Sequence, residues 1–294
     1  MKKIFSISLW SMAVMLFCLP LWAKTGTANN DKSLLWKISK EGVAQPSYLF
    51  GTIHVICEQD YFWSDAMQKS FDQTSQLCVE MDISNNALSM ETAALMMDFT
   101  GGTLRDYFSN EADYQLVKKY IEDSLGQSME IVERMKPVAL YMIYSVGLVK
   151  GPCKETVSYE LKLAEKAKQK SNNIVGLETV AEQMEVMESI PTDSIISQMI
   201  RIAKGEKSDE TETNELIAAY KKQDLNLLNK MIIKSTSESG MDGAVMIDNR
   251  NKKWMNPMVK MMNDKSTFFA VGAGHVYGLI QLLRNAGYKV EAVK

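Results

Sequence analysis

The chain has 294 residues, of which 46% are hydrophobic and 23% charged, with 33 basic against 36 acidic side chains. That length buries a sizeable core and lies near the upper limit for one domain, while the absence of any Lys/Arg cluster excludes a nucleic-acid surface. The 21 methionines, many at helix-core spacing, are read as adaptable core filler in place of a soft-metal array.

Lys2 and Lys3 precede an apolar stretch from Ile4 to Leu21, and Trp22-Ala23-Lys24 offers a small residue at a cleavage position. This is the layout of a secretory signal peptide, so residues 1–23 are expected to be removed and 24–294 to fold as a single domain, periplasmic or secreted. An uncleaved anchor is the alternative, weakened by Ser6, Ser8, Ser11 and Pro20; bulky Leu16-Phe17 before Cys18 argues against a lipoprotein signal. Membrane association is expected only in transit, through this segment. Cleavage leaves 31 basic against 36 acidic side chains, a net charge of −5.

Leu34 to Ile38 and Ser47 to Phe50, around Glu41-Gly42-Val43-Ala44-Gln45-Pro46, read as a hairpin. Ser64 starts a helix with Asp65 at its positive end, and Gln76 to Met81 reads as a short core strand. From Asn86 to about Lys150 the apolar spacing is mostly helical, broken at Gly101-Gly102 and Gly126. Val157 to Lys170 is an amphipathic helix and Ile174-Val175 a strand; Thr179 and Glu182 then form a capping box. Residues 192–235 read as helix, with the charged run Lys204 to Glu215 as a solvated turn, and a long helix follows around Val245 to Asn263. The end of the chain is a β-loop-α-β unit: strand Thr267 to Val271, loop to His275, helix Val276 to Asn285, turn at Gly287, strand Tyr288 to Val293.

His54 and His275 are the only histidines, and each stands three residues after a glycine, in Gly51-Thr52-Ile53-His54 and Gly272-Ala273-Gly274-His275. Both follow short aromatic-rich apolar runs that read as buried strands, which puts each imidazole at a strand's carboxyl end, where open α/β sheets hold ligands. Glycine there permits positive φ or a close approach. Glu80 ends a third strand. Two imidazoles and one carboxylate can hold a divalent ion with a position left open, and such an ion brings the pKa of bound water near 7. Glu58, Asp60 and Asp82 are candidates for orienting ligands or for a general base, or are solvated loop acids. Arg250 and Asn251, near Trp254, form another polar cluster; Arg250 suits a carboxylate or oxyanion, or a simple surface pair. No local spacing pins an ion, so histidines satisfied within the core and a metal-free acid/base pair stay open beside the metal reading.

Three cysteines remain after cleavage. Cys78, in Leu77-Cys78-Val79, reads as a core thiol, and Cys57 with Cys153 is the pair to test for a disulfide.

Tyr48-Leu49-Phe50-Gly51-Thr52-Ile53-His54, Val79-Glu80-Met81-Asp82, Gly176-Leu177-Glu178-Thr179 with Gln183, Arg250-Asn251 with Trp254, and Phe269-Ala270-Val271-Gly272-Ala273-Gly274-His275 occur in one order. Together they make the chain, from about Leu34 to Val293, resemble the TraB/GumN family, to which the animal TIKI metal-dependent proteases belong. The resemblance implies an α/β (α+β) fold of the erythromycin-esterase/TIKI kind, a central mixed sheet with a large inserted helical region. It implies a divalent-metal hydrolase using manganese, cobalt or zinc, with His54, His275 and Glu80 as ligands and Arg250 and Asn251 as site neighbours. Relatives carry a Gly-Val/Leu-Asp run where this chain has Thr156-Val157-Ser158-Tyr159-Glu160, so Glu160 stands as a second-rank site in that acid's place. The leading expectation is an exported peptidase in which a metal-bound water attacks the substrate; the alternatives are a non-catalytic envelope protein that binds a small ligand or haem, and a metal-free esterase-like hydrolase. The expected partner is a peptide or small-molecule substrate.

Overall fold

Leu35–Ser39 (β1) and Ser47–Thr52 (β2) pair antiparallel as a hairpin, Leu35 opposite Phe50 and Ile38 opposite Ser47. The computed structural model describes residues 32–82, 93–98, 101–150, 153, 155–205, 207–238 and 240–294, without the side chains of 145–150 and 207–210. The signal-peptide reading of 1–23 and the helical reading that starts at Asn86 and Leu88 therefore lie outside the described residues. Lys32–Lys294 forms one compact unit.

The other strands are Ile56–Cys57 (β3), Gln76–Val79 (β4), Thr156–Val157 (β5), Asn173–Gly176 (β6), Thr267–Gly272 (β7) and Lys289–Ala292 (β8). Of the eight strands among the described residues, six form one sheet in the order β6-β4-β7-β2-β1-β8, and β3 pairs with β5 in a separate ladder. Neighbours from β6 to β2 run parallel, whereas β1 runs against both β2 and β8. The sheet is thus mixed, as expected. Central strands β2 and β4 are buried along their whole length, because both faces are covered, and this is why they read as unbroken apolar runs.

Successive side chains alternate between the two covers. Tyr48, Phe50, Leu77, Val79, Phe268 and Ala270 face one core. It is filled from Asp65–Asp72 (α1), Tyr159–Gln169 (α4), Lys207–Lys221 (α7) and Leu225–Glu238 (α8), the missing numbers being Glu111–Lys119 (α2) and Pro137–Lys150 (α3). Leu49, Cys78, Phe269 and Val271 face the second core. That side is covered by Asn249–Asp264 (α9) and Ala273–Asn285 (α10), which follow Val180–Glu188 (α5) and Thr192–Ala203 (α6). A third cluster, drawn mainly from α2, α3, α5 and α6 and containing no strand residue, holds the inserted helical region together, with α3 also packed against β3.

Local signals explain several boundaries. Ser64 accepts from Met67 N to cap α1, and Thr179 with Glu182 forms the expected reciprocal box on α5. Two expectations are corrected. The run Lys204 to Glu215 is a turn only at Lys204-Gly205: α7 begins at Lys207, because Ile217 and Tyr220 at its far end are buried in the core and draw the charged stretch into their helix. There is also no loop to His275, since α10 already begins at Ala273. Ahead of α9, Ala244–Asp248 makes one π-helical turn. Cys57 and Cys153 form a disulfide with Cα atoms 5.4 Å apart, and Cys78 is a buried thiol. Among the described residues no helix is long and apolar enough to cross a membrane.

Candidate functional site

Adjacent strands β4 and β7 send their following connections in opposite directions, β4 toward β6 and β7 across β2 and β1 to β8. That divergence opens a crevice at the carboxyl edge of a sheet. Glu80 directly follows β4, His54 follows β2 and His275 follows β7. The register Gly51↔Val271 and Thr52↔Gly272 sets the two Gly-x-x-His turns side by side.

Glu80, 7% exposed, is the hub. Its Oε1 accepts from Gly272 N at 2.6 Å and lies 3.8 Å from His275 Nε2, and its Oε2 accepts from Arg250 Nη2 at 2.7 Å. Arg250 Nη2 also donates to Glu178 Oε1 at 2.5 Å and Nε to Glu178 Oε2 at 3.1 Å, while the guanidinium lies 4.8 Å over the buried Trp254 ring. Two buried carboxylates therefore share one cation. Burial pushes the Glu178 carboxyl up despite Arg250. Burial acts the same way on Glu80, but His275 and His54, both protonated at the low pH where this carboxyl titrates, and Arg250 with the Gly272 N–H hold it at about 2.

The histidines differ. His275 is buried in the first turn of α10, with its ring 4.4 Å from that of Trp254. A guanidinium only donates, so the 3.0 Å contact from Arg250 Nη1 makes His275 Nε2 an acceptor and leaves the proton on Nδ1, donated to Asn251 Oδ1 at 2.8 Å. Asn251 Nδ2 returns a bond to His275 O at 3.3 Å. Burial, seconded by Arg250, pushes His275 down to about 4. The His54 side chain is 66% exposed, and its Nδ1 meets Glu160 Oε1 at 3.0 Å. Crowding by protein opposes its charge, but the Glu160 hydrogen bond and carboxylate outweigh that and raise it to about 9. Thr52 Oγ1 and Ser158 Oγ hold Glu160 at 2.7 and 2.9 Å.

The glycines of the paired motif act by close approach, for neither has positive φ. A Cβ on Gly272 would lie 3.1 Å from Glu80 Oε1 and 3.5 Å from His54 Nε2, and one on Gly51 would meet Val276 Cγ2 at 3.0 Å. Gly272 thus keeps open the space that Glu80 and His54 face, and Gly51 lets α10 settle on β2.

The structure brings His54, His275, Glu80, Arg250, Asn251 and Glu160 together. It does not bring Glu58 or Asp60 to His54: Glu58 is exposed and Asp60 pairs with Lys221, and the acid that orients this ring is Glu160. Asp82 is half-buried two residues past Glu80. Sequence reasoning missed Glu178 as a site residue, although it follows strand β6 much as Glu80 follows β4, and that position was the available signal.

The donor chemistry suits a divalent ion in two respects. Each imidazole commits Nδ1 to an oxygen, the usual device for aiming Nε2 at a metal, and Glu80 Oε1 and His54 Nε2 both face the space above Gly272. Glu80, Glu178 and Glu160 against Arg250 and a protonated His54 leave one negative charge, and two once His54 gives up its proton to bind an ion. Against this, among the described residues no group of three His, Cys, Asp or Glu side chains is close enough to hold an ion as it stands, and Arg250 Nη1 engages His275 Nε2.

Fold and site together define an α/β protein with a carboxylate–imidazole–guanidinium centre at the carboxyl edge of a mixed sheet. The chain belongs to the TraB/PrgY/gumN family, whose profile matches residues 34–292. It is 24% identical to human "Metalloprotease TIKI1" over 96% of this chain and 68% of that protein. It is 22% identical to "Metalloprotease TIKI2" of Danio rerio, over 88% of this chain and 60% of that one, and 23% identical to "Metalloprotease TIKI2" of Xenopus tropicalis, over 88% and 59%. The chain therefore spans roughly three-fifths to two-thirds of these relatives' lengths. No solved structure matches it.

Proposed function

We propose that the chain is an exported, divalent-metal-dependent hydrolase acting on peptides. The observation that carries this is the convergence of His54, Glu80 and His275 on one crevice, each imidazole with Nδ1 already bound to an orienting oxygen. The relatives described as metalloproteases point the same way. His54, His275 and Glu80 would hold the ion, with manganese, cobalt or zinc all compatible with nitrogen and oxygen donors. The ion supplies Lewis acidity, enough to bring the pKa of water near 7.

The chain's own residues do the rest. Asn251 and Glu160 fix the ring orientations, and Glu178 holds Arg250 by two hydrogen bonds, its other three donors going to Glu80, Met246 O and, in the crevice, His275 Nε2, the last of which would be released once that nitrogen turned to an ion. There Arg250 would steady the negative oxygen that develops as a carbonyl is attacked, with Asn251 as the neighbouring amide. The Cys57–Cys153 disulfide fits an oxidising compartment and so supports export.

Metal analysis of the mature protein, followed by peptide-library cleavage with and without a chelator, tests the proposal. His54→Ala or His275→Ala should each abolish metal uptake in calorimetry, and unchanged stoichiometry rules the assignment out. One observation favours a second reading, metal-free acid/base chemistry: His54 is solvent-accessible, carries its proton at neutral pH, and is paired with Glu160. Activity that survives strong chelators would select it.

A further inference from the structure

Next to the site lies a cleft of about 720 Å³ between α8, the π-helical turn and α10. Ile233, Met241, Ala244 and Ile247 give it an apolar lining, and Asp242 and Asp248 stand beside them. Ile233 is 59% exposed and Tyr277, also in the lining, 39%. Large apolar side chains open to water around a concavity mark a binding surface. Asp242 and Asp248 are both exposed, and among the described residues neither forms an ion pair with a Lys or Arg; Asp242 only accepts from Ala244 N at 2.8 Å. The cleft therefore offers an apolar floor with uncompensated negative charge at its side.

Its position ties it to the reaction centre. Gly274 lines the cleft and is bonded directly to His275; Gly278, one turn on, lines it and backs onto Asn251, whose Nδ2 would lie 2.6 Å from a Cβ there. Ile247 lines it one residue after Met246, whose carbonyl accepts from Arg250 Nη1 at 3.1 Å. Cleft and site are thus built on the same helical turns.

We propose that this cleft is a specificity subsite that takes a bulky apolar side chain of a peptide substrate, with a Lys or Arg beside that side chain in the peptide facing Asp242 and Asp248. The inference rests on the peptidase reading for its substrate class, but binding alone tests it. The probes are four capped hexapeptides, identical except for a central Phe-Lys, Phe-Ala, Ala-Lys or Phe-Glu, titrated calorimetrically into the metal-stripped protein. Phe-Lys should bind most tightly and Phe-Glu least among the three Phe peptides. Ile233→Ser, at a 59% exposed position, should weaken every Phe peptide about tenfold. Asp248→Lys should weaken Phe-Lys a few-fold and leave Phe-Ala unchanged. Absence of saturable binding, or affinities indifferent to both variants, overturns the subsite. Binding of this pattern without cleavage on metal loading sustains the cleft and removes the hydrolase; cleavage indifferent to Ile233 does the reverse.

Discussion

The two Gly-x-x-His turns share a spacing and lie side by side, yet they build opposite environments. The His275 half is rigid and desolvated: a helix turn, an aromatic ring beneath, an amide on Nδ1 and a guanidinium on Nε2. The His54 half is a solvent-open loop, held by a carboxylate and by the β3–β5 ladder with its disulfide. One ring keeps a free base poised near a cation, and the other keeps a proton. A motif thus fixes where an imidazole stands, while its neighbours fix what the imidazole carries.

The largest expected effect breaks the buried half. Arg250→Met leaves Glu80 and Glu178 buried without their shared cation, which should cost about 3–5 kcal/mol in denaturant unfolding, and adding Glu178→Gln should recover part of that. The double variant also decides what Arg250 does to an ion. If Arg250 only orients Glu80, metal affinity should fall about 10- to 100-fold; if its hold on His275 Nε2 competes with the ion, affinity rises. The contact at 3.0 Å leads us to expect the rise, measured by calorimetry.

Asn251→Leu is next. It removes the acceptor on His275 Nδ1 and frees the ring to change tautomer, with an expected loss of about 1–3 kcal/mol of stability and about 10- to 100-fold in metal affinity. The His54 pKa should stay where it is, and a shift there would show that the halves are coupled more tightly than their separate partners imply. Gly272→Ala is smaller in stability and more local, because a methyl would enter the gap between Glu80 Oε1 and His54 Nε2. Metal uptake should fall while the melting temperature moves by only a few degrees; an unchanged affinity would show that the ion does not use this gap.

Much of this was legible in the residues. The strand-end histidines, Glu80, the Ser64 cap and the Thr179–Glu182 box are local signals, because turn and cap chemistry is written within a few positions. The insertion of β7 between β4 and β2 is not local, and with it went the reason Glu178 reaches Arg250, 72 positions away. Cysteine arithmetic pointed to Cys57 and Cys153, and the chain pairs them across 96 positions. The run from Lys204 misled because its composition describes one face of α7, whereas Ile217 and Tyr220 decide its conformation.

The finest discrimination comes from pH. His54 is raised to about 9 in the folded chain, so its contribution to stability is complete below its ordinary 6.5 and is lost as pH rises from there toward about 9. His275, lowered to about 4, works in the other direction: below 6.5 the unfolded chain takes up a proton that the folded one refuses, and stability falls as pH drops toward 4. Glu160→Gln should therefore flatten the alkaline limb and leave the limb between about pH 4.5 and 6.5 in place. Because His54 is largely exposed, the stability change itself should stay within about 1 kcal/mol. The ring titration should be plain, since with only two histidines the proton spectrum holds two imidazoles, one moving back toward 6.5 and one unmoved. If both shift together, the Glu160 charge reaches through Glu80 to His275, and the two turns are one coupled titrating unit.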